Sequence, residues 1–201
     1  MKRLAVLVSN VGTGTNLQAI IDAIKTKKLN TKIVVVIADT PNAFGIKRAK
    51  KHKLKVAICK NKKELSPLLE KYNPDFIALA GWKQIVKDEV IDAYKNRILN
   101  VHPGLIPNTL NGRIKNPDGT IALWNRGKLA SRAIQNFLDK KTTYAGSSIH
   151  FLTHQFDFGP VLARGFVKIK KGDTVSTLYP RLKKVEHKIY IKSLQKLCPV
   201  L

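Results

Sequence analysis

Cysteine is scarce in this chain, because Cys59 and Cys198 are the only two among 201 residues and they lie far apart. Two distant cysteines offer no framework of disulfide spacings, so a reducing, cytoplasmic environment is the simplest interpretation. Long apolar runs are also missing, since no stretch reaches the roughly 18 residues that cross a bilayer. The apolar run at residues 4–8 follows Lys2 and Arg3 but is too short for a signal peptide. The sequence therefore predicts neither a disulfide-stabilised secreted domain nor a membrane protein.

Acidic residues are few as well, at 13 against 37 lysines and arginines, so the net charge is +24. A charge of this size suggests nucleic-acid binding. However, 29 of the basic residues are lysines without a long block, whereas arginine is the better residue for bidentate phosphate and guanine contacts. No nucleic-acid motif, zinc-ligand spacing or repeat is recognisable, so no metal site is predicted. A solvated surface is the preferred interpretation, attraction of small anionic ligands stays open, and a nucleic-acid surface is the least favoured.

What the chain does contain is enough apolar sequence for a core. Hydrophobic residues make up 44% of it, which excludes a disordered basic tail, and its length suits one domain. In the first half, short apolar runs alternate with segments of helical periodicity. This alternation predicts an α/β fold with a doubly wound, mostly parallel sheet and helices on both faces. The predicted strands are residues 4–8, 33–38, 56–59, 75–80 and 98–101, and the predicted helices are residues 16–24, 43–52, 63–72 and 88–94.

The second half has a different character. Residues 108–126 are rich in Asn, Gly, Pro and charge, and they predict a long loop of the kind that often serves as a functional lid. Beyond it we predict a helix at 129–138, strands at 147–152 and 160–167, and a last helix that Asp173 or Thr174 caps and that extends to Leu194. We therefore expect a single domain over 1–201, with halves at 1–101 and 102–201.

A glycine-rich turn, Gly12-Thr13-Gly14-Thr15-Asn16, joins the first predicted strand to the first predicted helix. Its glycines allow a ligand to approach the backbone, and the N–H groups and dipole of the helix favour an anion there. The turn is not a P-loop and lacks the full dinucleotide-binding pattern. Asp39 is the acidic residue at about the distance that this pattern requires, but alone it is weak support for it. Anion binding is the favoured interpretation, and an ordinary turn is the alternative.

A second group of residues suits attack of an amine on a carbonyl carbon. Asn100 and His102 are two apart at the end of a predicted strand, so they point the same way, and Asp157 lies in a later turn. An amide and an imidazolium would stabilise an oxyanion, while a carboxylate would raise the pKa of the histidine and accept a proton. Each residue alone is more often a cap or a surface group, so this pattern by itself leaves both interpretations open.

Six segments of the chain, in order, resemble motifs of the folate-dependent formyltransferase family. The third segment is Leu-Asn-Val-His-Pro-Gly-Leu-Ile-Pro, where the family usually has Asn-Ile-His-Pro-Ser-Leu-Leu-Pro. The resemblance covers nearly the whole chain apart from an insertion at about 108–128. It implies a formyltransferase-like fold with a Rossmann-type first half. The segments are residues 9–20, 80–82, 99–107, 146–150, 156–161 and 186–190.

The resemblance also implies an activity, the transfer of a formyl group from 10-formyltetrahydrofolate to the amine of glycinamide ribonucleotide, without a metal. It implies that Asn100, His102 and Asp157 are catalytic and that His150 supports them. The residues implied to bind the phosphate and ribose are Gly14, Thr15, Asn16, Lys183 and Glu186. Those implied to bind the folate are Trp82, Lys83, Gln84, Ile85, Val86, Leu152 and Phe156.

Several departures from the family pattern affect these expectations. The first loop is about two residues longer than usual, Gln84 replaces a common arginine that helps to hold the folate tail, and Phe158 replaces a glycine. The insertion at 108–128 lies beside the acceptor side, where it could close over the acceptor, change it, mediate assembly or remain a surface loop.

Three other functions stay open. They are a formyltransferase for another amine, a 10-formyltetrahydrofolate hydrolase and a basic nucleic-acid binder. The hydrolases usually carry an extra N-terminal regulatory domain, and this chain begins on its first strand, which counts against them. The expected partners are small molecules, and the chain is expected to be a monomer or a homodimer.

Overall fold

A computed structural model describes residues 1–10 and 12–198 of the chain. Strands and helices alternate through the first half, as the sequence predicts. The strands are β1 Lys2–Val8, β2 Thr31–Ala38, β3 Val56–Ile58, β4 Phe76–Leu79, β5 Ile98–His102, β6 Tyr144–Phe151 and β7 Val161–Lys168. The helices are α1 Thr15–Lys25, α2 Phe44–Lys51, α3 Leu65–Tyr72, α4 Asp88–Ala93, α5 Ala130–Asp139 and α6 Val175–Leu197.

The chain forms two compact units. The first is Met1–Asn100 together with the described residues from Leu194 onward, and the second is Val101–Ser193. The predicted halves at 1–101 and 102–201 differ from these units mainly because the end of α6 belongs to the first unit. The expectation of a single domain stays a prediction.

Five strands of the first unit pair in parallel. β1 is central, since Val6 pairs with Val36 of β2 on one side and Ala78 of β4 on the other. β2 also pairs with β3, and β4 pairs with β5. Residues 4–7 of β1 have no solvent exposure at all, as is typical of a parallel strand that is covered on both faces. This burial explains why the strand is a continuous apolar run rather than an alternating one.

The strand order within the described residues is β3-β2-β1-β4-β5-β6-β7. The chain moves outward from β1 to β3 and then returns to β4 on the other side of β1. With right-handed crossovers, α1 and α2 lie on one face of the sheet and α3 and α4 on the other. Contact between α1 and α2 agrees with this assignment. The doubly wound fold is confirmed, and the order reverses between β1 and β4, where ligands bind in such sheets.

The second unit contains an antiparallel pair, β6 and β7, in which Tyr144 pairs with Lys168. Its core cluster is formed from α5, β6, β7 and α6 by Ile134, Phe137, Ala145, Val167, Leu178 and Leu182. The predicted start of β6 at 147 was wrong by three residues. Tyr-Ala-Gly has a weak strand signal, and Gly146 is needed because an added Cβ would lie 1.6 Å from the Leu105 side chain. Long-range packing therefore extends the strand.

The long loop predicted at 108–126 extends to residue 129, with one isolated bridge between Lys115 and Ile121. A turn at 117–120 closes this bridge, and the Thr120 N–H donates to Asp118 Oδ1 at 3.1 Å. No helix in the described part of the chain is long and apolar enough to cross a bilayer.

Candidate active site

The end of β5 carries two of the predicted catalytic residues. Asn100 and His102 are two apart on this strand and therefore project from the same side of it. Asn100 is partly exposed, whereas only 2% of His102 is exposed. The pair is thus brought together as the sequence predicts, with the imidazole enclosed by protein.

Two buried serines of β6 hold the chain that follows β5. Ser147 Oγ donates to the main-chain oxygen of His102 at 2.8 Å. Ser148 Oγ donates to the carbonyl of Gly104 at 2.7 Å and accepts from the Ile106 N–H at 3.0 Å. Sequence reasoning missed this role, because serine in a strand gives no signal of its partner. The two hydroxyls fix the turn that directly follows His102.

His102 lies between two acceptors. Its Nδ1 is 3.5 Å from Asp157 Oδ1, and its Nε2 is 2.6 Å from the main-chain oxygen of Trp124. A carbonyl oxygen only accepts, so Nε2 carries a hydrogen. The positively charged ring is the form in which both nitrogens donate to the groups that they face. The geometry therefore suits an imidazolium that is paired with a carboxylate.

Asp157 occupies a strained and electrostatically favourable position. Its φ is +50°, in the left-handed region that non-glycine residues rarely adopt. Burial raises the pKa of this carboxyl, but the hydrogen bond and charge of His102, together with the Gly127 N–H, outweigh burial and lower the pKa below its usual value. The Gly127 N–H donates to Oδ2 at 2.7 Å. Asp157 is therefore an anion at neutral pH.

His150 is fully buried on β6 and plays a different electrostatic role. Burial is the largest cause that lowers its pKa to about 4, and the nearby charge of His102 lowers it further, against the opposing effects of the Phe151 carbonyl and Asp157. Nδ1 donates to the Phe151 carbonyl at 2.9 Å, so in the neutral ring Nε2 is an acceptor. His150 is thus a neutral neighbour of the charged pair.

The insertion reaches the His102–Asp157 pair directly. We call residues 124–127 the strap. The indole Nε1 of Trp124 donates to the Asp157 main-chain oxygen at 3.0 Å, and Arg126 Nε donates to the Phe156 carbonyl at 3.0 Å. The Trp124 ring also contacts the ring of Phe158 at 5.7 Å between centroids. The sequence left the role of this stretch open, and the structure shows that it is more than a surface loop.

In the first unit, the glycine-rich turn precedes α1 as expected. Gly14 caps the helix at φ +69°, and a Cβ there would lie 2.9 Å from the Gly45 Cα. The first-turn N–H groups of a helix have no intrahelical acceptor, so they present donors to a ligand at this end. Asn16 follows on α1 with its Oδ1 buried and without a partner among the described residues. The main-chain donors suit an anion, whereas the Asn16 Oδ1 is an acceptor and would face a donor group of the ligand.

The predicted folate-binding stretch 82–86 follows β4 on the carboxyl edge of the sheet. Lys83 Nζ is 2.7 Å from Asn10 Oδ1 and 3.5 Å from Asp39 Oδ2, so this lysine points toward the end of β1 and β2. Gln84 donates to the Cys59 carbonyl at 3.1 Å. Trp82 Nε1 is buried without a partner among the described residues, and Ile85 is 67% exposed. Trp82 thus retains a donor and Ile85 an apolar surface for a ligand.

The remaining predicted binding residues lie in the second unit. On α6, Lys183 Nζ is 2.5 Å from Glu186 Oε2. Burial lowers the pKa of Lys183, but Glu186 and Tyr179 outweigh it, so the pKa is raised and the ammonium is charged. Leu152 is half-buried after β6, and Phe156 is 62% exposed in the turn that carries Asp157.

Comparison with known proteins agrees with this arrangement. A family model described as formyl transferase matches residues 2–194. The chain belongs to the formyl transferase family. The resemblance predicted from the sequence motifs is therefore confirmed, and so is the fold.

Individual members of the formyl transferase family are similar over most of the chain. The phosphoribosylglycinamide formyltransferase of Escherichia coli is 31% identical, with 93% of this chain and 82% of that protein covered. The glycinamide ribonucleotide transformylase 1 structure from Symbiobacterium toebii has a TM-score of 0.82 at 30% identity and covers 96% of this chain and 86% of that one. The bovine trifunctional purine biosynthetic protein adenosine-3 is 31% identical over 96% of this chain. The chain spans 18% of the length of that protein.

Proposed function

We propose that the chain transfers a formyl group from 10-formyltetrahydrofolate to the amine of glycinamide ribonucleotide, a step of purine biosynthesis. One observation carries this proposal in a member of the formyl transferase family. His102 at the end of β5 pairs with Asp157 in the turn after β6, and Asn100 projects from the same side of β5 as His102. The names of its similar relatives support the choice of acceptor.

In this proposal, the acceptor amine forms a bond to the formyl carbon and the bond from that carbon to N10 of the folate breaks. Asn100 and the His102 imidazolium donate hydrogen bonds to the oxygen that becomes negative in the tetrahedral intermediate. Asp157 keeps His102 charged and accepts the amine proton, through water, and a proton is returned to N10 as it leaves. His150, which is neutral, adds no positive charge that would repel His102.

The substrate-binding residues are assigned as the resemblance implies. Gly14, Thr15 and Asn16 would bind the phosphate through main-chain donors and the Asn16 side chain. Lys183 and Glu186 would bind the phosphate and a ribose hydroxyl respectively. The folate would contact residues 82–86, together with Leu152 and Phe156. Gln84 is neutral and already donates to a main-chain carbonyl, so the folate carboxylate tail would lack the arginine contact that is common in the family.

The net charge of +24 fits two anionic substrates. A basic surface raises the local concentration of anions and their association rate, an effect that salt screens. Direct contact is assigned to few of these charges, with Lys183 the main one. The expected cytoplasmic location and the monomeric or homodimeric state remain predictions.

The test is turnover of 10-formyltetrahydrofolate by the purified chain with and without glycinamide ribonucleotide. We expect formyl transfer that needs the acceptor and that is lost when His102 is replaced by Asn. Turnover only with a different amine would overturn the acceptor assignment, and turnover without any acceptor would identify a hydrolase. Salt-dependent binding to random DNA with no folate binding would overturn the enzyme assignment altogether.

A further inference from the structure

The oxygen-binding position of His102 is already filled. In the proposed reaction Nδ1 faces Asp157, which leaves Nε2 as the ring nitrogen that donates to the formyl oxygen. The Trp124 main-chain oxygen lies 2.6 Å from Nε2 and accepts its hydrogen. An internal carbonyl therefore sits where the carbonyl of the substrate is needed.

Gly104 makes this contact possible. A Cβ at position 104 would lie 1.7 Å from the Trp124 oxygen and 2.5 Å from its carbonyl carbon. Any other residue would force the carbonyl away from His102. The neighbouring Leu105 N–H donates to the Leu123 carbonyl at 2.9 Å, so the chain before the strap runs alongside the turn after β5. The turn after β5 and the chain before the strap therefore both position the Trp124 carbonyl against His102.

The strap combines a fixed base with a loosely held tip. Asn125 is buried, and its Nδ2 donates to the carbonyls of Pro103 and Ala133 at 3.0 and 3.2 Å. Arg126 and Gly127, by contrast, are exposed. The tip is held by the hydrogen bonds of Arg126 and Gly127 to the turn at 156–157. Trp124 is held there by its own hydrogen bond to Asp157 and by the contact of its ring with Phe158. These bonds can exchange for bonds to water without opening the core.

We propose that the Trp124 carbonyl is an internal competitor of the formyl donor, and that the donor displaces the strap from His102 when it binds. This inference rests on the proposed function. Replacing the Trp124 carbonyl by the formyl carbonyl of the donor changes the free energy of the ground state little, because both groups are uncharged acceptors. An oxyanion accepts more strongly than a neutral carbonyl, so the exchange favours the transition state. With the strap in place, both ring nitrogens of His102 face an acceptor and the ring stays enclosed until the substrate arrives.

The kinetic test loosens the strap without touching His102 or Asp157. Arg126→Gln removes the bond to the Phe156 carbonyl and the contact of the guanidinium with the Trp124 ring, 5.1 Å from its centroid. Because a weaker competitor leaves more of the binding-competent state, we expect the KM for 10-formyltetrahydrofolate to fall about two- to tenfold with kcat retained. Arg132→Gln is the matched control, an exposed arginine of α5, and should leave KM unchanged.

The binding test needs no acceptor. NMR-detected exchange of the Gly127 N–H, which is bonded to Asp157 in the free protein, should speed up when 10-formyltetrahydrofolate saturates the wild-type chain. Tetrahydrofolate, which lacks the formyl oxygen, should leave the exchange slow. A Gly127 N–H that stays protected with the formyl donor bound, or an Arg126→Gln variant with an unchanged or raised KM, would overturn the inference. If the formyl donor does not bind at all, the proposed function fails and this inference fails with it.

Discussion

His102 and Asp157 face each other through Nδ1 and Oδ1, 3.5 Å apart, with only 2% and 15% of their side chains exposed. Because the pair is largely shielded from water, the interaction between the two side chains is only weakly screened. Removal of either partner should therefore abolish the function of both.

A double-variant cycle tests this dependence. His102→Asn and Asp157→Asn should each lower kcat by about 10² to 10⁴, the usual contribution of a positioned acid or base. The double variant should be no worse than the more damaged single variant, since the two residues act as a unit. Asp118→Asn, on an exposed loop, is the control and should retain normal kcat. Effects that multiply in the double variant would argue for independent roles.

His150 should make the stability of the fold depend on pH. Its pKa is lowered from 6.5 to about 4, mainly by burial. Between these values the unfolded chain binds a proton that the folded chain does not, so the free energy of unfolding falls as pH falls from about 6.5 to about 4. The loss is on the order of 3 kcal/mol at the acid end.

Urea denaturation of the wild type and His150→Gln at pH 7 and pH 5 measures this contribution. The variant should show a shallower fall between the two pH values, whatever its stability at pH 7. An unchanged slope in His150→Gln would show that other groups carry the pH dependence.

Gly14 should tolerate no side chain, for two reasons that a control can separate. Gly14→Ala places a Cβ at φ +69° and 2.9 Å from the Gly45 Cα. Gly172→Ala also has a positive φ, +80°, but meets nothing within 4 Å. Both variants should lose about 1 to 2 kcal/mol of stability from backbone strain. Only Gly14→Ala should lose more and raise the KM for glycinamide ribonucleotide, because only it disturbs the proposed phosphate turn. If Gly14→Ala and Gly172→Ala changed the KM equally and lost equal stability, the result would argue against a phosphate site at this turn.

The sequence predicts the central strands well because burial on both faces leaves an unmistakable pattern. Residues 4–7 of β1 are apolar without interruption, and their neighbours in β2 are too. The start of β6 escaped prediction because Tyr-Ala-Gly is placed in the strand by its pairing with β7, and Gly146 leaves room for the Leu105 side chain. Local propensity carries no record of such partners.

The candidate catalytic residues also divide into features that the sequence predicts and features that it does not. Asn100 and His102 were predictable from their spacing on one strand, whereas the contact of His102 with Trp124 joins residues 22 positions apart through a loop without regular structure. No periodic pattern in the sequence indicates that the Trp124 carbonyl contacts the His102 imidazole. The best local hint was Gly104, which is needed for close approach but does not reveal what approaches.

Ser148 offers a test of how the turn after β5 is held. Its hydroxyl is fully buried, donates to the Gly104 carbonyl and accepts from the Ile106 N–H. Ser148→Ala leaves both main-chain groups without this partner, which should cost about 1 to 3 kcal/mol of stability for each group that stays unpaired. Because the turn directly follows His102, kcat should fall as well, while the KM for glycinamide ribonucleotide should change little. Ser176→Ala, at an exposed position of α6, is the matched control. Chemical denaturation and steady-state kinetics measure both effects, and a variant that loses stability but keeps the full kcat would show that the hydroxyl supports the fold without positioning the imidazole.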